Sequence, residues 1–305
     1  MNTRPAMSIS AVERDTGLGK DTLRVWERRY GFPQPARDDH GERVYPAEQV
    51  DRLRLMKRLI DHGHRPGRLF AASEEEFASF CNACTAKKEV EPGHGEAMVR
   101  QAIRLIQTND LPALRQALNQ AMMRLGLQSF IIDVVAPLNQ AVGEAWISGA
   151  IQVFEEHLYT EQVKSLLRQA IGNLPPSGGR PRILLTTLPE EQHLLGLLMV
   201  EALLTLDAAT CISLGTQTPL FDIQMAAAAH QADIVAVSFS SAFPARQVAP
   251  LVNQLRQLLP GNIELWVGGA GAQRVSSQPG TVLLASLTAA LDAVKAWREN
   301  ASGEQ

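Results

Sequence analysis

Apolar positions in the N-terminal stretch fall into short groups with helical spacing. Ser8 stands where a helix cap belongs, ahead of a helix carrying Ile9 and Val12 that stops at Thr16-Gly17. Gly19 precedes a second helix over Asp21–Tyr30, closed by Gly31 and Pro33. Two short helices joined by a tight glycine-containing turn make a helix-turn-helix pattern. Gly31 to Arg43 reads as a loop with hairpin character. From Pro46 a longer helix sets Val50, Leu53, Met56 and Ile60 on one apolar seam.

Residues 74–95 break the pattern with Glu74-Glu75-Glu76, Lys87-Lys88-Glu89 and Pro92-Gly93-His94-Gly95. Residues 96–173 then read as four helices, interrupted at Gly126 and Ser148-Gly149, and so as a four-helix bundle. Leu174-Pro175-Pro176-Ser177-Gly178-Gly179 forms a second linker, after which the period changes. Strand-like runs at 183–185, 209–214, 233–238 and 263–267 alternate with helical stretches at 191–206, 219–230 and 244–258. That alternation predicts a doubly wound parallel sheet. The expected architecture is multidomain, mainly α plus α/β: a head over 1–73, a linker over 74–95, a bundle over 96–173, a linker over 174–180 and an α/β domain over 181–300. No internal repeat is evident.

Charge sharpens this division. The chain of 305 residues has a net charge of −3. Through Phe70 it carries 14 Lys/Arg against 10 Asp/Glu, and beyond that 15 against 22. A basic head on an acidic body suggests a nucleic-acid-binding module joined to something else. No apolar run approaches the ~20 residues of a membrane span, and no secretory signal is evident. Three cysteines build no disulfide scaffold, so a cytoplasmic protein is expected. Cys81-x-x-Cys84 is one pair without a second, a weak metal signal that also fits a small-residue linker helix.

On the second helix Lys20, Arg24, Arg28 and Arg29 are basic, with positions 24 and 28 sharing a face and Asp21 and Thr22 at its start. Such a helix puts its N-terminal residues against base edges in the major groove. Arg37 and Arg43 in the hairpin are candidate phosphate contacts. Residues 7–72, and above all Thr22-Leu23-Arg24-Val25-Trp26-Glu27-Arg28-Arg29 with Arg43-Val44-Tyr45, resemble the MerR family of winged helix-turn-helix regulators. The resemblance implies a dimer or higher oligomer on a palindromic double-stranded operator, with Tyr45 joining Arg37 and Arg43 in the wing's grip.

Candidate chemistry in the body lies at helix and strand ends. Trp146 closes one bundle helix, and Glu156-His157 open the next. Singly, each has an ordinary structural reading: core filler, helix N-terminal charge, satisfied histidine. Glu191-Gln192-His193-Leu194-Leu195-Gly196 follows the first strand at its carboxyl end, where doubly wound folds bind ligands. An imidazole with a carboxylate two residues earlier has the makings of a metal ligand whose ring is oriented by an acid. Gly215, Ser238 and Gly268-Gly269 end the later strands and leave room for a slot.

This order of features, over about 96–295, resembles the cobalamin-binding module, a helical cap on a Rossmann-like (flavodoxin-like) domain. It implies His193 as lower axial cobalt ligand and Glu191 as its hydrogen-bond partner. Gly196, Gly215, Ser238, Gly268 and Gly269 would line the nucleotide-tail slot, with Trp146, Glu156 and His157 over the upper face. Two places depart from the family: E-x-H-x-x-G replaces the common D-x-H-x-x-G, and Ser240 takes the third place of S-x-L.

A MerR head on this module resembles the CarH/LitR type of adenosylcobalamin-dependent photoreceptor repressors. That implies a regulator and not an enzyme, a dark oligomer (dimer or tetramer) on DNA, and release when light cleaves the cobalt–carbon bond. Where well-known members follow the Trp with a cobalt-capturing histidine, this chain has Ile147, so a bis-histidine photoproduct is not expected. The alternatives are a MerR regulator without cobalamin or with another tetrapyrrole, and a corrinoid methyl carrier.

Overall fold

The computed structural model describes residues 6–38, 41–61, 64–85, 94–176, 178–275 and 279–303. They form two compact units, a head and a body.

The head runs β1 (Met7–Ser8), α1 (Ile9–Thr16), α2 (Lys20–Tyr30), β2 (Ala36–Arg37), β3 (Arg43–Tyr45), α3 (Ala47–Asp61), α4 (Pro66–Ala71) and α5 (Glu74–Thr85). The side chain of Ser8 accepts from the Ala11 amide, capping α1 as expected. Gly17 and Gly31 end α1 and α2 in the left-handed region, at φ 69° each. The wing is a three-stranded antiparallel sheet in the order β1-β3-β2. Val12, Leu18, Leu23, Trp26, Tyr45, Val50 and Leu53 form the core, and Arg54 clamps Asp15 with two hydrogen bonds of 2.7 and 2.8 Å. The expected linker does not begin at residue 74. The three glutamates are the first turn of α5, and Phe77 is buried with Met56, Leu59 and Leu69. Acidic side chains favour a helix N-terminus, so a charge run was mistaken for a break. The side chains of Cys81 and Cys84 lie outside the described residues.

The body begins with α6 (His94–Gln107) and α7 (Leu111–Leu125). The third rod is α8 (Leu127–Ser129), a π-helical turn (Phe130–Val135) and α9 (Ala136–Ile147), and the fourth is α10 (Val153–Gly172). Pro137 accounts for the wide turn: it offers no N–H to the carbonyl four residues back, at Asp133, and its ring crowds that carbonyl. Gly95 lets α6 close on this turn, since a Cβ there would sit 2.3 Å from the Asp133 carbonyl oxygen. The four rods match the expected bundle.

The remainder alternates β4 (Arg182–Thr186), α11 (Leu195–Leu206), β5 (Thr210–Gly215), α12 (Leu220–Ala229), β6 (Ile234–Ser238), α13 (Ala245–Leu258), β7 (Glu264–Gly268), β8 (Thr281–Leu284) and α14 (Leu287–Gly303). The sheet is parallel in the order β5-β4-β6-β7-β8, the flavodoxin-like winding. Edge strand β8 and helix α14 were not foreseen. Residues 191–194, read as helix, are loop; α11 starts at Leu195.

The Pro/Gly linker does not separate two cores. One face of α11, through Leu195, Leu198, Met199, Ala202 and Leu203, completes the bundle core. Its other face, through Leu197 and Leu204, packs on the sheet. A helix apolar nearly all round belongs between two layers. The loop that starts this shared helix carries His193. No helix of the described residues is long and apolar enough to cross a membrane.

Candidate DNA-reading face and corrinoid site

Helix α2 buries Leu23 and Trp26, and exposes Asp21, Arg24, Val25, Arg28 and Arg29 on the side away from the core. Arg24 reaches Asp21 at 3.2 Å, and Arg29 lies 5.3 Å over the Tyr30 ring. Lys20 pairs with Glu13 at 3.6 Å, and Thr22 is half-buried. In the wing, Arg37 donates to the Gly41 carbonyl at 2.5 Å. Arg43 binds the Glu27 carboxylate on α2 at 3.0 Å, and that bond raises its pKa further above the ordinary range. Arg43 thus ties the wing to α2.

Tyr45 is a correction. Expected in the wing's grip, it is fully buried in the head core and offers no exposed surface to a phosphate. Residues i and i+2 of a strand share a face, so Tyr45 follows Arg43 towards α2 and packs with Leu23 and Trp26. Burial raises its pKa, and its hydroxyl finds no partner among the described residues. Tyr45→Phe should therefore leave DNA affinity within twofold and stability unchanged or slightly higher, since an unpaired buried hydroxyl costs about 1–3 kcal/mol. Gel shift and thermal melting check both.

The body's site is built at the carboxyl ends of the strands. After β4 the chain turns through Glu190, at φ 71°. Thr187 latches the turn: its hydroxyl donates to the Glu191 carbonyl at 2.6 Å and accepts from the Gln217 amide at 2.9 Å. Glu191 is buried, 1% exposed, while the His193 side chain is 62% exposed. Oε1 of Glu191 accepts from the His193 amide at 2.9 Å and lies 2.6 Å from Nδ1. Its other oxygen accepts from the amide and hydroxyl of Ser240, at 2.7 and 2.8 Å. Burial works to raise the Glu191 pKa, but the hydrogen bonds from His193 and Ser240 outweigh it, and the carboxyl sits below its usual range. An ionised Glu191 assigns the ring proton to Nδ1 and so leaves the ring's lone pair on Nε2.

Ser240 is the member that the sequence did not announce. Its position was read only as a departure from leucine, yet it fastens the carboxylate that holds the imidazole, and its hydroxyl is also 3.0 Å from Nδ1. The Ser-x-Ser spacing was the available signal: both hydroxyls sit at the carboxyl end of β6. Ser238 instead faces Gly196, where a Cβ would lie 3.4 Å from its hydroxyl.

The glycines serve different ends. Gly269 has φ 91°, and a Cβ there would stand 2.2 Å from the Phe239 carbonyl oxygen. Gly271 is equally tight, 2.4 Å from the Ser240 carbonyl. These two allow the loop after β7 to close beneath residues 239–240, with the Gly271 amide donating to Phe239 at 3.0 Å. Gly215, at φ 81°, ends β5 where the register shifts against Thr186. Gly268 is less demanding: a Cβ would make ordinary contact with Leu284 at 3.5 Å.

On the bundle side, Nδ1 of His157 and Oε2 of Glu156 are 2.6 Å apart, and Thr160 donates to Oε1 at 2.7 Å. The capping carboxylate of α10 is not Glu156 but the buried Glu155, which accepts from the Gln152 amide at 2.6 Å. Glu156 is thereby released from capping. Trp146 packs on the bundle core, as does Leu194 beside His193. The structure thus forms two clusters, Glu191–His193–Ser240 and Glu156–His157–Thr160, in elements that share one core. Among the described residues no group of three or more His, Cys, Asp or Glu side chains is placed to hold a metal ion by itself. The donor set suits a metal that arrives in its own ring: one oriented imidazole, an outer carboxylate and a glycine-cleared strand edge.

Together these features define a helix-turn-helix DNA-binding head on a body with a corrinoid-binding architecture. Residues 7–68 match the model of the MerR HTH family regulatory proteins, and residues 98–171 match that of the B12 binding domain. The chain is 30% identical over 260 residues to the HTH-type transcriptional repressor CarH of Myxococcus xanthus, covering 84% of this chain and 86% of that one. Identity to CarA of the same organism is 29% over 272 residues, 88% of each chain. The chain belongs to this family, the MerR-type regulators that carry a B12-binding domain. The monomethylamine corrinoid protein of Methanosarcina barkeri shares the fold, with a TM-score of 0.51 at 13% identity over 66% of this chain and 99% of that one.

Proposed function

We propose that the protein is an adenosylcobalamin-dependent, light-responsive transcriptional repressor whose cofactor-assembled oligomer holds operator DNA in the dark. The observation that carries this reading is the Glu191–His193–Ser240 constellation, an exposed imidazole whose Nδ1 is pinned by a buried, ionised carboxylate. His193 would hold cobalt from beneath through Nε2, and Glu191 would keep that nitrogen basic and correctly aimed. Gly196, Gly215, Ser238 and the Gly268–Gly269 loop would border the nucleotide tail. Trp146, Glu156 and His157 would cover the opposite face. Bound adenosylcobalamin supplies a photolabile cobalt–carbon bond. Because His193 heads the helix that the bundle and sheet share, a change in how tightly the bundle covers the site bears directly on the α11 packing. Assembly in turn controls occupancy, since several tethered heads bind far more tightly than one.

Gel shift on the DNA upstream of the protein's own gene tests this, in the dark and after illumination, with and without adenosylcobalamin. Retardation is expected only in the dark with cofactor. In parallel, the illuminated corrinoid should still change its spectrum on added imidazole, because Ile147 offers no ligating atom and the His157 ring is held by Glu156; a spectrum unchanged by imidazole in the wild type but not in His157→Ala would assign the ligand to His157. Equal retardation under all four conditions would refute the proposal.

A further inference from the structure

Resting on the DNA-binding reading above, we infer that Val25 reads thymine, by packing against its 5-methyl group from the middle of the α2 face. Val25 is 43% exposed, the one large apolar side chain so exposed among the described residues of α2. At about 100° of rotation per residue, Leu23 and Trp26 mark the buried side, and Asp21, Val25 and Arg28 fall on the opposite one. Val25 therefore stands where a recognition helix meets the floor of the groove.

Its charged neighbours stand to either side of it on the exposed face. Arg24 leans to Asp21 at 3.2 Å, and Arg29 lies across Tyr30. They flank an apolar spot with positive charge on both sides, a surface that attracts phosphates at its rim and leaves a hydrophobic contact at its centre. Packing does not account for the residue, because Val25 is outside the head core. Helix propensity does not either, since a β-branched side chain is among the poorer choices at an exposed helical position. The apolar group displayed in the major groove is the thymine methyl, which separates T·A from every other pair.

The probe is a duplex selected from a randomised pool by the full-length protein with adenosylcobalamin in the dark. Each thymine of either strand is then replaced by deoxyuridine, which removes the methyl and nothing else. At one thymine per half-site, uracil should weaken wild-type binding about fourfold, the worth of one buried methyl group. Val25→Ala should bind the thymine and uracil duplexes equally, and Val25→Thr, which keeps a methyl, should retain a preference for thymine. If uracil is harmless at every position, or if Val25→Ala still prefers thymine, the inference is wrong while the DNA-binding reading stands. If the pool yields no enriched sequence, both fall.

Discussion

Alanine at position 193 is expected to yield a folded protein that no longer retains a corrinoid through desalting. Among the described residues at the carboxyl ends of the body's strands, His193 is the imidazole whose Nδ1 is held by a buried carboxylate. The fold should survive because the side chain is 62% exposed, and Glu191 keeps its hydrogen bonds from the His193 amide and from Ser240. Loss of one bond to a buried carboxylate costs about 1.5–3 kcal/mol, a visible drop in melting temperature but short of unfolding. Glu191→Gln should be milder, weakening retention about 10- to 100-fold, as is usual when the partner of a ligating histidine is altered. The check is the absorption spectrum after mixing with adenosylcobalamin in the dark and gel filtration, with circular dichroism for folding. A retained histidine-ligated spectrum in His193→Ala would remove the basis of the proposed sensor.

Arg24→Ala is expected to abolish the gel shift while leaving cofactor-driven assembly intact. An arginine that reads a base contributes about 1–3 kcal/mol per head, and the losses compound when two or more heads grip one duplex. Arg28→Ala, if it removes a phosphate contact, should weaken binding more evenly across sequences and lower the salt slope by about one per head. Neither change should reach the fold. Arg24 has a half-exposed side chain whose bond to Asp21 is an exposed pair one helical turn away, and such pairs add little stability. Sizing chromatography beside the gel shift separates the two roles. If Arg24→Ala also failed to assemble, α2 would be serving the oligomer as well as the operator.

Local rules carried the sequence reading a long way. Ser8, Gly17 and Gly31 bound the first two helices because caps and left-handed residues act over a few bonds. The change from helical period to apolar strand runs placed β4, β6 and β7, since an interior parallel strand is apolar on both faces, and the edge strand β5 beside them. Edge strand β8 went unseen although Val282-Leu283-Leu284 is as apolar as the run in β4. The glutamates of α5 look like a break because acidic side chains suit both a solvated linker and a helix's first turn, and the burial of Phe77 against Met56, Leu59 and Leu69 decides between them.

Residue types and their order along the chain announce which chemistry is present: a basic helix, an imidazole beside a carboxylate, glycines at strand ends, and the order that marks the family. Where each of these groups stands, buried or exposed and beside which partner, came from the folded chain. Folding buried Tyr45 in the head core, left Val25 exposed, and brought Ser240 across from β6 to close on Glu191. The reason is range: caps and periods act between neighbours in the chain, whereas burial and hydrogen-bond partnership are set by residues tens of positions apart that meet only when the sheet and bundle close on α11.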